Sequence, residues 1–455
     1  MAKPRISIVV PPSVFTVPPG WEFVLRQPFE GASYIATVMK NAGYPVRIID
    51  ARFYSQPAKQ AAQEALDSSD IVCIATYEDS FTFLEEITAL IKKANPDMPM
   101  ILGGSLVTSA PEVVMNHSSA DIGVLGEGEI TILELLDLLY APVPLGVTSS
   151  SLSRSLLCSM GDLKKVKGIC YKGSGNEIIF TKPRPQMKNL DDLPVWDLSL
   201  WPAVRKDAHI KEILYSHSRG CYRNCSFCFR TTPKLTYKSV QKVKQELVEL
   251  KKRHNFEFIY FVDLTWVIEK QRALELCAVI EPLKVKWSCM TRVQNLDKET
   301  LQAMKRSGCD IILYGFESVD QAVLDKANKG TSEQEIRDAI NMTRAAGIRV
   351  GGLFIVGLPG ETESSLNKLF EFTKEMGDVT RVKYLSAIPG TDIYESGLKN
   401  GVIKNEVEHL RWLAKETCQA DDEFLNFTNL PDKTLRDAYR ILNQRYAPGP
   451  RASGF

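Results

Sequence analysis

The chain has 455 residues, with 56 Lys and Arg against 55 Asp and Glu, for a formal net charge of +1. That length predicts two or three domains, each with its own core, and the balanced charge gives no footprint for nucleic acid or an anionic membrane surface. No apolar run reaches the roughly 18 residues of a transmembrane helix, and Ile6 to Val10 is too short for a signal-peptide core, so the chain reads as a cytoplasmic protein acting on a small molecule.

From Arg5 to about Leu139, apolar runs at Ile6 to Val10, Val46 to Asp50, Ile71 to Thr76, Met98 to Gly103 and Ile122 to Leu125 alternate with helical patterns. This βαβ rhythm predicts an α/β domain over residues 1–140. It is a doubly wound, Rossmann-like sheet with ligands beyond the carboxyl ends of its strands. Residues 141–209 lose the rhythm. Thr148 to Ser155 reads as an exposed Ser-rich linker. Gly168 to Tyr171 and Glu177 to Thr181 flank a Lys-Gly-Ser-Gly-Asn turn and predict a hairpin, and Asp191 to Pro202 reads as an extended interdomain strap.

Residues 210–400 give six strand candidates, near Ile213, Phe258, Val285, Ile311, Val350 and Val382, with a helical segment after each of the first five. They predict a partial (β/α)6 barrel whose chemistry belongs at the carboxyl ends of the strands. Residues 401–455 are helical and aromatic, with Trp412, Phe424 and Phe427, and are expected to cap the barrel mouth.

The first barrel strand leads into Cys-Tyr-Arg-Asn-Cys-Ser-Phe-Cys, which carries Cys221, Cys225 and Cys228 at C-x3-C-x2-C spacing. A closed [4Fe-4S] cluster takes four cysteines, so three thiolates hold three irons and leave the fourth open. With His217 the same thiols could instead make a four-coordinate Cys3His zinc site, but a loop that opens a long series of strand and helix units needs no such metal staple. The other seven cysteines, Cys73, Cys158, Cys170, Cys277, Cys289, Cys309 and Cys418, are scattered singly through apolar segments and read as buried thiols in a reducing compartment. The carboxyl-end rule also selects Asp263, Arg292, Glu317 and Gly357, after the second to fifth strands. Singly, each charge is better explained by a solvated loop or a helix cap; their recurrence at one rim is what selects them. His209, His254 and His409 read as ordinary surface or core residues, and no Ser, His and Asp set suggests hydrolysis.

With Phe227 just before its last cysteine, the loop resembles the signature of the radical S-adenosylmethionine (SAM) enzymes. Tyr-Gly-Phe-Glu-Ser (314–318), Gly-Leu-Phe-Ile-Val-Gly-Leu-Pro-Gly-Glu-Thr (352–362) and Ile-Pro-Gly-Thr-Asp-Ile-Tyr (388–394) look like successive rim motifs of their barrels. The resemblance implies that the open iron chelates SAM through its amino and carboxylate groups. It implies SAM contacts at Phe227, Asp263, Arg292, Glu317 and Gly357. Asp263 and Glu317 are acceptor types for an ammonium and ribose hydroxyls, and Arg292 is a donor type for a carboxylate. A helix-entry turn before Glu361 explains Gly357 and Gly360 nearly as well as close approach to a ligand.

Leu-Gly-Gly-Ser (102–105) and Leu-Gly-Glu-Gly-Glu (125–129), after the fourth and fifth strands, resemble the cobalamin-binding domain that precedes the barrel in one branch of this superfamily. Contacts to cobalamin are then implied at Gly103, Gly104, Ser105, Gly126, Glu127 and Gly128, where bare backbone and a helix N-terminus meet a bulky ligand; tight αβ turns are the plain alternative. The Asp-x-His-x-x-Gly motif is absent and His117 is the domain's only histidine. Either cobalamin binds without a histidine ligand, its lower face covered around Thr76 and Tyr77, or the domain has lost it. The family implied is that of the cobalamin-dependent radical SAM enzymes. The implied activity is methyl transfer to an unactivated carbon, or phosphorus, of a small-molecule or natural-product substrate, with an external electron donor such as flavodoxin or ferredoxin. The alternative is a radical SAM cyclase, rearrangement catalyst or oxidoreductase.

Overall fold

A computed structural model describes residues 3–12, 27–52, 56–139, 162–202, 204, 210–376, 379–415 and 423–444. The Ser-rich stretch Thr148 to Ser155, Cys158, His209 and Cys418 lie outside them. Strands β1 (Ile6–Val10), β2 (Val46–Asp50), β3 (Ile71–Thr76), β4 (Met100–Gly104) and β5 (Ile122–Val124) are parallel, in the order β2-β1-β3-β4-β5. They read as unbroken apolar runs because helices cover both faces of the sheet. Strand β1 lies between β2 and β3, Ile8 pairing with Ile48 on one side and Cys73 on the other. The strand order therefore reverses beside β1, and an open α/β sheet binds its ligand in the crevice at that reversal.

The expected hairpin forms as β6 (Ile169–Lys172) and β7 (Ile178–Phe180), but it is not a separate linker element. Strand β6 pairs antiparallel with β5, Ile122 opposite Tyr171, and extends the sheet to seven strands. The hairpin thereby covers an edge of β5 that would otherwise be open to solvent. The strap that follows is built from two short 3-10 turns, Leu190–Asp192 and Leu198–Leu200, capped by Asn189 and Asp197. Its Leu190, Trp196 and Trp201 are buried in the seam. Trp196 stacks on Tyr34 at 6.1 Å and meets Tyr215 at 6.4 Å, and the indole N–H of Trp201 donates to Ser33 Oγ at 2.9 Å.

The third region contributes β8 (Glu212–Tyr215), the two-residue strands β9 (Ser218–Arg219) and β10 (Thr236–Tyr237), then β11 (Phe258–Phe261), β12 (Lys286–Thr291), β13 (Cys309–Glu317), β14 (Arg349–Val356) and β15 (Val379–Tyr384). Six of them form a parallel sheet in chain order, β8-β11-β12-β13-β14-β15, and its two outer strands do not pair with each other. The partial barrel is therefore open along one side. Four of its helices start at side-chain caps: Ser239, Asp297, Asp320 and Ser332 each accept a backbone N–H of the first turn. The antiparallel β9-β10 ladder brackets the cysteine loop.

Beyond Gly401 the chain does two things. Leu425 and Phe427 pack at the barrel rim with Phe227 and Leu358. Helix Glu406–Leu413, by contrast, crosses to the N-terminal sheet, burying Leu410 and Leu413 in its outer core. Arg411 pairs there with Glu85 at 2.8 Å, while His409 Nε2 lies 2.6 Å from the carbonyl of Ala387. Helix Asp432–Gln444 runs along β15, where Tyr384 stacks between Phe424 at 4.3 Å and Tyr439 at 4.1 Å. Among the described residues no helix is long and apolar enough to cross a membrane.

Candidate active site

The cysteine loop begins at Gly220, whose φ is +77° and where a Cβ would lie 2.3 Å from the carbonyl oxygen of Lys234. Only glycine fits that turn. Backbone bonds then fix the loop: the Ser226 N–H donates to the Ala327 carbonyl and the Ile393 N–H to the Ser226 carbonyl, both at 3.1 Å. The Asn328 side-chain amide donates to the Asn224 carbonyl at 2.7 Å. Cys221, Cys225 and Cys228 are half-buried and free. Burial, and then the neighbouring Cys225 and Cys221, push the Cys228 thiol up to about 11, so at neutral pH a metal must displace its proton.

Three free thiols on one firmly held loop suit a cluster in which each sulfur takes a different iron. A single zinc ion makes another demand, four ligands at about 2 Å from one centre, and no described trio of His, Cys, Asp or Glu is arranged that way. Both ring nitrogens of His217 are engaged elsewhere. Nε2 lies 3.2 Å from the Trp266 carbonyl and Nδ1 3.3 Å from Arg272 Nη2. The Cys3His alternative lacks its fourth ligand.

The structure divides the expected rim residues into two groups. Arg292 reaches the cysteines, with Nη1 3.7 Å from Cys225 Sγ and Nη2 bonded to Thr331 Oγ1 at 3.1 Å and to the Lys329 carbonyl. Glu317 ends β13 at a register slip, in the left-handed region at φ +64°, a conformation that costs a non-glycine residue energy and clusters at functional sites. Its carboxylate holds Lys329 Nζ at 2.9 Å, and that ammonium lies 5.9 Å from the centre of the Phe227 ring. Lys329 thus joins Phe227, Arg292 and Glu317 around the thiols, a role without any local sequence signal. Gly357, at φ +96°, donates its N–H to Glu361 Oε2 at 2.7 Å. Burial pushes the Glu361 carboxyl up to about 8, against the pull of that N–H. The spacing of Glu361 four residues after Gly357 is the available clue to this pairing.

Asp263 faces the other way. Its Oδ1 accepts the N–H of Ser218 at 2.7 Å, the N–H of His217 at 3.1 Å and the Ser218 hydroxyl, while Oδ2 has no partner although the residue is 2% exposed. Burial lifts its carboxyl to about 7, the Ser218 bonds and Lys238 opposing. Asp263 lines a cavity of about 500 Å³ between the carboxyl ends of the two sheets. Val262 and Leu264 on either side of it are 38% and 44% exposed and present apolar side chains to the same space.

The opposite wall is the rim of the N-terminal sheet: Tyr77, Gly103, Gly104 and Ser105, then Gly126, Glu127 and Gly128. A Cβ added at Gly103 or Gly126 would meet nothing within 4 Å, so bare backbone faces open space there. Gly104 differs. At φ +130°, its Cβ would lie 2.3 Å from the Thr76 carbonyl oxygen, so packing alone requires glycine. Gly128 lets the loop close on Ile35, 3.0 Å from its would-be Cβ. Thr76 is turned from the cavity: its buried hydroxyl donates to the Gly103 carbonyl at 3.3 Å and accepts the Val107 N–H at 3.2 Å. Tyr77 takes the wall position, packed on Phe29 at 5.1 Å. A largely apolar cleft with a glycine floor fits a flat, bulky ligand such as cobalamin, held by close backbone approach.

Two family models match the chain, the radical SAM superfamily over residues 215–373 and the B12 binding domain over residues 28–136. An uncharacterised methyltransferase of Pyrococcus horikoshii is 28% identical over 90% of this chain and 86% of its own. The anaerobic magnesium-protoporphyrin IX monomethyl ester cyclase of Rubrivivax gelatinosus is 26% identical over 83% of this chain and 66% of its own. In fold, the radical SAM methyltransferase TsrM of Kitasatospora setae, solved with cobalamin and a [4Fe-4S] cluster bound, superposes with a TM-score of 0.70. Its identity is 16%, over 88% of this chain and 78% of that one.

Proposed function

We propose, from the premise that the chain belongs to the cobalamin-dependent radical SAM enzymes, that it transfers a methyl group to an unactivated carbon, or phosphorus, of a small-molecule substrate. The observation that carries this reading is the shared cavity: the glycine rim of one sheet and Asp263 and the cysteine-loop flank of the other line a single space. Such an arrangement serves a reaction in which two cofactors act on one substrate. The methyltransferase of P. horikoshii supports the same class over most of the chain.

Cys221, Cys225 and Cys228 would hold three irons, leaving the fourth for SAM. When bound, the cluster and SAM supply one-electron bond cleavage, and cobalamin supplies the methyl group. Arg292, beside Cys225, is the donor for the SAM carboxylate. Glu317 and the free Oδ2 of Asp263 are acceptors for its ammonium and ribose hydroxyls. The backbone at Gly103 and Gly126 would lie against cobalamin, while Val262 and Leu264 exclude water from the reacting centre. An external one-electron carrier such as flavodoxin or ferredoxin would reduce the cluster, and the free described thiols suit a reducing cytoplasm.

A second reading, ring closure by radical chemistry, is favoured by the likeness to the R. gelatinosus cyclase. Anaerobically reconstituted protein, given SAM labelled in its methyl group and a pool of candidate substrates, separates the two. Label in the product with release of 5′-deoxyadenosine is the expected result; product without label would establish the cyclase-type reading.

A further inference from the structure

Arg219 stands two positions before Cys221, separated from it only by the sterically fixed Gly220. Its guanidinium forks across the cavity wall onto the glycine loop after β5. Nη1 lies 3.0 Å from Glu127 Oε1 and Nη2 2.6 Å from Glu129 Oε1, with the three side chains 18%, 9% and 6% exposed. The Tyr34 ring centre lies 5.4 Å from the guanidinium. A planar fork shared by two carboxylates fixes direction as well as distance, which a lysine cannot reproduce.

Glu127 satisfies its other oxygen with the N–H of Met187. Glu129 does not: Oε2 has no partner, although the residue is 5% exposed and lines the cavity. A buried carboxylate oxygen without a donor is costly, so this atom marks where a donor on the cavity's ligand belongs. Cobalamin carries primary carboxamides around its ring, and their N–H groups are donors of that kind.

Resting on the cobalamin reading above, we propose that Glu129 accepts a carboxamide N–H of cobalamin and that Arg219 is a positioning residue linking this contact to the cluster loop. Affinity for cobalamin then depends on whether the cluster is in place. Only Gly220, whose conformation is sterically fixed, separates Arg219 from Cys221, so the position the loop takes when its sulfurs hold the cluster is passed to Arg219 and, through the fork, to Glu129. By linkage, each cofactor favours the other equally.

The test uses the full chain, prepared anaerobically, with hydroxocobalamin as probe and its dissociation constant measured before and after cluster reconstitution. Reconstitution is expected to tighten binding about fivefold or more in the wild type. Arg219→Lys is expected to bind equally in both states, with unchanged iron content and thermal melt. Glu129→Gln is expected to weaken binding in both states. Should Arg219→Lys not fold, Glu127→Gln, which opens one arm of the fork, is expected to shrink the same ratio. Equal affinities in the two states of the wild type, or a ratio retained in the folded fork variant, would overturn the proposal and leave cobalamin binding standing. No binding in any form would overturn both.

Discussion

The two sheets offer the same kind of place, the carboxyl ends of parallel strands, yet the two rims are made of opposite materials. The barrel rim ends its strands in charge, at Asp263, Arg292 and Glu317, with Lys329 tying Arg292 to Glu317. The N-terminal rim ends its strands in bare backbone, at Gly103, Gly104 and Gly126. A charged rim grips a small polar ligand through a few directed bonds whose loss is expensive. A glycine rim grips a large ligand through area, each contact weak and the fit decided by what is left out. Residues on the first rim are therefore replaceable only by like chemistry, and on the second only by equal smallness.

Substitution of any one cluster cysteine breaks the comparison at its strongest point. Cys225→Ala is expected to lose cluster iron and turnover to the detection limit, read by iron content and 5′-deoxyadenosine release, with the hydroxocobalamin site still present.

The adjacent glycines sharpen the other side. Gly104→Ala places a Cβ against the Thr76 carbonyl at a positive φ and is expected to cost about 1–3 kcal/mol or more in urea unfolding. Gly103→Ala meets no atom within 4 Å. It should leave stability within about 0.5 kcal/mol while weakening hydroxocobalamin binding, because its methyl group enters the cavity.

A gentler probe is pH. Burial lifts the Asp263 carboxyl to about 7, and the ionised form holds an ammonium much more strongly than the neutral acid does. SAM affinity should rise as pH increases toward about 7 and level off above it, by at most about tenfold per pH unit. Calorimetric titration of wild type against Asp263→Asn checks this, since the variant should show a flat profile over the same range. The smallest effect is expected at Arg411→Ala: the Arg411 side chain is 41% exposed in its pairs with Glu85 and Glu408, and ion pairs open to solvent contribute little. An unchanged melting temperature would confirm that the buried Leu410 and Leu413, not the ion pair, fasten this helix to the N-terminal sheet.

The parallel sheets were legible because apolar runs and helical periods are local signals, and the cysteine loop because three like ligands in eight residues have few other uses. Non-local choices were not legible. The hairpin's attachment to β5 depends on which sheet edge is open, and no residue of the hairpin records it. Thr76 and Tyr77 are neighbours in sequence, but β3 ends at Thr76, and the sequence does not show which of the two turns to the cavity. Arg219 and Lys329 carry no signal of their own, because an ordinary Arg or Lys acquires meaning only once its partners are placed. The C-terminal helices show the same limit: their amphipathic pattern demands an apolar surface without saying that one of them crosses to the other domain.

The edges of β8 and β15 are not paired with each other, so the six strands do not close a ring. In a closed barrel the diameter is set by the number of strands; with one flank left open, the girth available to a guest is not fixed by that count.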